Sequence, residues 1–463
     1  MTVTFNDRDP EPQAASTAEA AAAAISGPGL LDSSSHRRPP RVAVWGHYYG
    51  PNLGDELVTS TVIAAVRARR PEADVIGISI APDDTRERHG IPAYPLSAPG
   101  AGRSERRTGL QRIIAGVRRR ASAVVREVPH LWRSYRLLRG VDLVVVAGSG
   151  QLLDKWNGPW GHPYALYKWS LLARLSGTKL AILSVGAGPL NGRLARRFVR
   201  SAVERADAVS VRDEHSLTIL RQAGVRRDVP VRADMGFAHA VPPRDDTPRD
   251  RIVVGVNAMA HAHPGYWGRG DMTRYQAYVE KFTRVILDLL DRGIAVQLFS
   301  SHATADQGVA DDIVAAVWAA EPRLAGRLKR EHLTRVDQLT AFIAGCDAVV
   351  GTRYHSVLLP MLMHVPTVGV AYHPKTVEVM RMAGQPDFCI EDIDGFRAEE
   401  LGRLVSRAIE DRARIRPALA EGVAPLRALV ERQFDVIFAP SAAAGDSTGR
   451  PAARQSERGR HVA

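Results

Sequence analysis

Short runs rich in valine and isoleucine alternate with longer stretches of helical period from residue 41 to about 385. No other feature limits the fold so strongly, because this alternation specifies parallel strands joined by crossover helices, an α/β architecture. Runs at 42–45, 75–80, 141–147, 180–185 and 208–211 read as strands, with helical patterns at 57–69, 164–175 and 194–205 between them. The segment 242–250, Pro-Pro-Arg-Asp-Asp-Thr-Pro-Arg-Asp, has the chemistry of a linker and ends this series. A second series follows, with strands at 252–257, 295–300, 347–350 and 367–371. Helical patterns at 274–291, 310–318, 336–344 and 356–363 separate or follow them, and two more at 398–411 and 423–438 close the fold. The expected arrangement is two Rossmann-like domains facing a cleft. The N-terminal domain spans 40–241, the linker 242–250, and the C-terminal domain 251–438 with its closing helices. Residues 1–39 and 439–463, rich in Ala, Ser, Pro, Gly and Arg, read as disordered tails.

Composition excludes several classes. Two cysteines, Cys346 and Cys389, cannot build a disulfide framework or a zinc cluster by themselves. Cys346 opens an apolar strand and reads as a small buried hydrophobe. No apolar run approaches the ~20 residues of a membrane-spanning helix, and the N-terminus lacks a secretory signal. The expected location is cytoplasmic.

The net charge of +12 is local: residues 103–139 hold eleven arginines against Glu105 and Glu127, a net +9. Within that segment 110–128 has helical period, with Leu110, Ile113, Ile114, Val117, Ala121, Val124, Val125 and Val128 on one stripe. Arg112, Arg119 and Arg126 lie opposite, and Pro129 is expected to break the helix before Arg133. The stripe reads as packed on the domain. The arginine face reads as solvated, or as attracted to anionic lipid without insertion, which gives a peripheral membrane contact through 103–139. Arginines without base-reading aromatics or a nucleic-acid module make nucleic acid an unsuitable partner.

Chemistry concentrates where strands hand over to helices. The segment Gly345-Cys-Asp-Ala-Val-Val-Gly-Thr-Arg353-Tyr354-His355-Ser places a fixed cation and a titratable imidazole at such a junction. In open α/β sheets ligands bind beyond the carboxyl ends of strands, beside free amides at helix N-termini. The fifth strand ends in Arg212-Asp213-Glu-His-Ser, a second arginine at a junction, which Asp213 could neutralise locally. The first strand leads into Gly46-His-Tyr-Tyr-Gly-Pro-Asn52-Leu-Gly54-Asp55-Glu56, neither a dinucleotide fingerprint nor a P-loop lysine motif. Its acids would repel phosphate, so Asn52 and Asp55 suit sugar hydroxyls, although a cap with turn glycines explains the same residues. Gly148-Ser149-Gly150 and Gly186-Ala-Gly188 mark close backbone approach at two more strand ends. His261 and His263 lack a third ligand, so no metal is expected.

Taken in order, Asn52-x-Gly-Asp-Glu, Gly-Ser-Gly, Ser-Val-Gly-Ala-Gly-Pro, Val-Arg212-Asp-Glu-x-Ser, Ala-Asp234-Met-Gly-Phe, Gly-Thr-Arg353-Tyr-His355-Ser, Pro366 and Ala371-Tyr-His-Pro-Lys375 resemble the polysaccharide pyruvyl transferases. The resemblance covers about residues 41–390. It departs at Tyr354, where leucine is expected, and at Ser149, where the family more usually has a Gly-Gly pair. It implies a glycosyltransferase type B fold and transfer of pyruvate from phosphoenolpyruvate onto two hydroxyls of a sugar, as a cyclic ketal. Arg212 and Arg353 would grip the donor, with Lys375 fitting the end of the pattern, and His355 would be the acid/base. The acceptor would be a sugar or a lipid-linked oligosaccharide, and no cofactor is implied. The alternatives are a nucleotide-sugar glycosyltransferase, for which Glu391 and Glu399 have a suggestive spacing, and a non-catalytic glycan- or lipid-binding protein.

Overall fold

The computed structural model describes residues 29–31, 38–46, 52–98, 125–155, 157–243, 250–267, 270–302, 304 and 306–439. The first half carries six strands: β1 (Arg41–Trp45), β2 (Asp74–Ser79), β3 (Ala93–Pro95), β4 (Leu143–Ala147), β5 (Lys179–Val185) and β6 (Ala208–Val211). The second carries β7 (Val253–Asn257), β8 (Ala295–Leu298), β9 (Leu328–Arg330), β10 (Ala348–Gly351), β11 (Thr367–Val370) and β12 (Cys389–Ile390). The orders are β3-β2-β1-β4-β5-β6 and β12-β11-β10-β7-β8-β9. Counted within each half, both are the Rossmann order, with the switch point between the first and fourth strands. Pairing is parallel throughout. The strands are apolar on both faces because helices cover both: Val42 and Val44 enter one core, Ala43 and Trp45 the other.

The helices that matter to the site are α1 (Leu53–Arg69), α2 (residues 125–138), α3 (His162–Ser176), α4 (Arg193–Arg205), α5 (Glu214–Gln222), α6 (Tyr354–Leu362), α7 (Pro374–Met382) and α8 (Arg412–Phe438). α1 starts where Asn52 Oδ1 accepts the Gly54 amide at 3.1 Å. Its first turn already touches the second half, since the Leu53 amide donates to the Ser301 carbonyl at 2.9 Å and Asn52 pairs with His302. One turn on, buried Glu56 accepts from Arg88 at 2.8 Å and from the Val336 amide at 3.4 Å, while Arg88 donates to the Thr334 carbonyl. α8 returns the chain to the first half. Arg69 pairs with Glu431 at 2.7 Å, Ser210 Oγ donates to Gln433 Oε1 at 2.7 Å, and Gln433 Nε2 donates to Ser184 Oγ at 3.2 Å.

Several expectations meet the structure differently. The edge strands β3, β9 and β12 have no apolar run to announce them, because an edge is held by its neighbour's backbone more than by burial. Leu31, inside the expected N-terminal tail, is fully buried in the core that Val42 and Leu57 share. Residues 1–28, 32–37 and 440–463 of the tails, 244–249 of the linker and 103–124 of the basic segment fall outside the described residues. α2 runs through Pro129 without breaking; one proline removes a single helical hydrogen bond, which the remaining turns tolerate. Val125 and Val128 are 71% and 61% exposed, so this end of the apolar stripe faces outward instead of packing on the domain. Polar partners occupy part of the inner face: Lys168 Nζ donates to Glu127 at 2.9 Å, and His130 Nε2 lies 3.0 Å from the Pro95 carbonyl. No helix among the described residues is long and apolar enough to cross a membrane.

Candidate active site

Each half contributes its switch point. In the second, Asn257 at the end of β7 holds the turn after β10, taking the Arg353 amide on Oδ1 at 3.1 Å and the Thr352 hydroxyl on its carbonyl at 2.8 Å. Arg353 caps α6 and turns its guanidinium to fully buried Asp306, with Nε to Oδ2 at 2.9 Å and Nη2 to Oδ1 at 2.6 Å. Burial opposes its charge, but Asp306, Tyr266 and Tyr372 outweigh that and raise its pKa, so it stays cationic. In the first half Arg212 follows β6 and is the more deeply buried, its side chain 4% exposed against 14% for Arg353. Its Nη1 donates to Asp234 Oδ2 at 2.9 Å and its Nε reaches Asp213 at 3.4 Å. Asp213 is occupied mainly as the cap of α5, accepting the Ser216 amide at 2.6 Å, so Asp234 is the principal counter-ion. The plane of Arg212 rests on Gly186, where a Cβ would come within 2.6 Å of Nη2.

His355 lies between the halves. Its Nε2 is 3.7 Å from Asp234 Oδ1, near enough for charge and too far for a hydrogen bond, and this buried nitrogen has no hydrogen-bond partner among the described residues. Its Nδ1 faces the first turn of α1 so closely that a Cβ on Gly54 would come within 2.1 Å. Burial would raise the Asp234 carboxyl. His355, Arg212 and the Gly236 amide overcome that and hold it well below the ordinary carboxylate range. Asp234 therefore links Arg212 to His355 as a permanent anion.

A cluster of cations adjoins this dyad. Arg212 stacks 4.6 Å over the Tyr354 ring, and Lys375, in the first turn of α7, lies 5.5 Å from Tyr354 and 5.3 Å from Tyr372. Burial would raise the Tyr372 phenol, yet Lys375, Arg353 and Arg212 together pull it below its ordinary value. Lys155, over Trp267 at 4.1 Å, is lowered by burial and by Arg353 and Lys375 despite the pull of Tyr372. Four cations thus feel one phenol. On the first half, Asp55 accepts from Asn52 Nδ2 at 2.9 Å and from Ser149 Oγ, across the β1/β4 switch point. Burial pushes His162 down to about 4, although Asp55 pulls the other way, and His302 is lowered mainly by burial and by Arg353.

Arg212, Arg353, His355 and Lys375 are therefore brought together, while Asn52 caps α1 and Asp55 lies in its first turn, bonded to Asn52 and Ser149. His261 bonds Asp394 at 2.9 Å, and no cluster of metal-ligating side chains exists among the described residues. Glu391 and Glu399 are both exposed. Asp306, Lys155 and Tyr372 carried no local signal. Tyr372 stood inside a recognised motif without a role, and Lys155 and Asp306 lie in irregular segments whose importance depends on what approaches them.

Two Rossmann-like halves closing on a cleft are the glycosyltransferase type B architecture. Among solved structures the chain superposes on a Listeria monocytogenes protein assigned to the UDP-N-acetylglucosamine 2-epimerases, with TM-score 0.54 at 11% identity over 86% of this chain and 94% of that one. A Rickettsia africae glycosyltransferase gives 0.52 at 10% identity over 86% and 98%. These likenesses define the fold. The family model for polysaccharide pyruvyl transferases matches residues 52–374, and the chain belongs to that family. It is also 24% identical over 304 residues to the amylovoran biosynthesis protein AmsJ of Erwinia amylovora, covering 59% of this chain and 70% of AmsJ.

Proposed function

We propose that this transferase moves the pyruvyl group of phosphoenolpyruvate onto two hydroxyls of one sugar in a polysaccharide or glycolipid precursor, forming a cyclic ketal. The observation that carries this reading is the group of four cations around Tyr372 beside the buried His355–Asp234 dyad. Phosphoenolpyruvate brings close to three negative charges in two planar or tetrahedral clusters, which guanidinium forks and ammonium groups match. A proton added at C3 of the enol makes C2 electrophilic. The first sugar hydroxyl adds there and gives up its proton; phosphate departs with the C2–O electron pair, and the second hydroxyl closes the ring, releasing another proton. One proton ends on the methyl carbon and one on phosphate, so the balance requires no oxidant or reductant.

His355 carries one of these protons, with the Asp234 carboxylate 3.7 Å behind it. Arg353, Lys375 and Lys155 offset the charge that grows on the leaving phosphate. Asn52, Asp55 and Ser149 supply acceptors and donors for the sugar. The test is incubation with phosphoenolpyruvate and a glycan acceptor, following inorganic phosphate and the acceptor's mass. Phosphate release matched by pyruvate on the acceptor supports the reading. Turnover of a nucleotide sugar with no use of phosphoenolpyruvate would overturn it.

A further inference from the structure

α2 packs on the core and also carries an apolar stripe on its outer face. Its inner face is mixed: Glu127 is bound to Lys168 and, at 3.2 Å, to the Tyr164 hydroxyl, His130 and Ser134 are buried beside it, and Leu138 is fully buried with Leu131 and Tyr135 packed on the core. Its outer face carries Val125, Val128 and Trp132, which is 59% exposed, at the i, i+3, i+7 positions of one stripe. Arg133 and Arg136 flank that stripe and are exposed. The patch continues across Tyr164. Trp160, 64% exposed, lies 5.4 Å from the Tyr164 ring and 5.9 Å from Phe198 on α4, whose Arg193, Arg197 and Arg200 are exposed.

Large outward apolar side chains rimmed by cations are an unusual surface for a protein facing water alone. Tryptophan amid arginine suits the boundary between headgroups and acyl chains, where the ring is half-wetted and the guanidinium meets phosphate. The charge argues for the same occupant, since residues 103–139 hold +9 of the chain's +12. Trp160 precedes by two residues His162, the first residue of α3, which feels the charge of Asp55.

We propose that Val125, Val128, Trp132 and Trp160 insert into the headgroup region of an anionic bilayer, with the flanking arginines on its phosphates. This docks the first half at a lipid surface. The inference is independent of the donor chemistry.

Co-sedimentation of the full chain with vesicles of phosphatidylglycerol and phosphatidylcholine, or of phosphatidylcholine alone, tests it. Binding should require phosphatidylglycerol, and part of it should persist at about 1 M salt, where the Debye length is about 3 Å. Val125→Ser/Val128→Ser/Trp132→Ser should lose that salt-resistant part by at least about tenfold, while Arg133→Gln/Arg136→Gln should lose mainly the salt-sensitive part. These side chains face solvent, and an unchanged melting temperature confirms that the variants fold. Independently, lipids brominated on the acyl chain should quench wild-type tryptophan emission, and less so in Trp132→Phe. Absence of vesicle binding overturns the proposal, as does binding abolished by salt and equal in wild type and the apolar variant. Self-association or RNA binding relieved by the same substitutions, with vesicles ignored, also overturns it.

Discussion

Arg353 and Arg212 are both buried cations, but they are committed differently. Arg353 meets Asp306 through Nε and Nη2, leaving Nη1 near only the Tyr266 hydroxyl at 3.4 Å. Arg353→Ala should raise the KM for phosphoenolpyruvate at least roughly tenfold, and Arg353→Lys nearly as much, because the fork geometry is lost. Arg212→Ala would instead strand Asp234, a cost of about 3–5 kcal/mol for a broken buried pair, so its donor effect must be read beside a melting curve. His355→Ala should lower kcat by ~10²–10⁴ with donor affinity kept. Gly54→Ala should mimic that loss, since its Cβ must displace the imidazole. A Gly54→Ala enzyme with normal kcat would show that the ring position is unimportant. Phenolate absorbance should reveal one tyrosine titrating below the ordinary value of 10, absent in Tyr372→Phe. Bound phosphoenolpyruvate should raise it again, because the anion cancels the cations that favour phenolate. The arginines and His355 were legible in the sequence because a charge beside an apolar strand is conspicuous. Lys155 and Asp306 were not, since their roles arise only when distant segments meet.

Elements with an internal driving force were legible for the same reason. β1, β4, β5, β7, β10 and β11 are continuous apolar runs covered on both faces, and their pattern survives without tertiary knowledge. β3, β9 and β12 owe their form to a neighbour and left little trace. α2 shows the limit of periodicity: a stripe of valines reports amphipathicity, not which face turns inward, and here Lys168 and Glu127 decide. The contact between α1 and the second half gives a test at this scale. Arg88 and Glu56 are 13% and 6% exposed, and Glu56 also receives Val336. Arg88→Met should therefore cost about 3–5 kcal/mol, seen as a lower urea midpoint, by leaving a buried carboxylate short of its partner. A midpoint unchanged within error would mean that water replaces the guanidinium.

For the whole molecule, three histidines make a strong contribution to the acid response. His162, His239 and His373 are each pushed down to about 4, first by burial, aided at His239 by Arg427 and at His373 by Lys375. Their unfolded pKa lies near 6.5, so below that value the unfolded chain binds protons that the native state refuses. The stability these three contribute is thus complete above pH ~6.5 and is lost as pH falls towards about 4. Melting temperature should follow that course, and His239→Gln should flatten it. The closing helix has a consequence for how the protein is made. One face of the first sheet finishes its core with residues up to about 229, whereas the other shares its core with Val430, Phe434 and Phe438. Domains generally fold from the N-terminus as synthesis proceeds at about 5–20 residues per second. On that clock the emerging first half spends roughly 10–40 s with one face finished and the other covered by α1 but still lacking the residues of α8. A nascent chain stalled before residue 412 should bind a chaperone that releases it only once α8 has been translated.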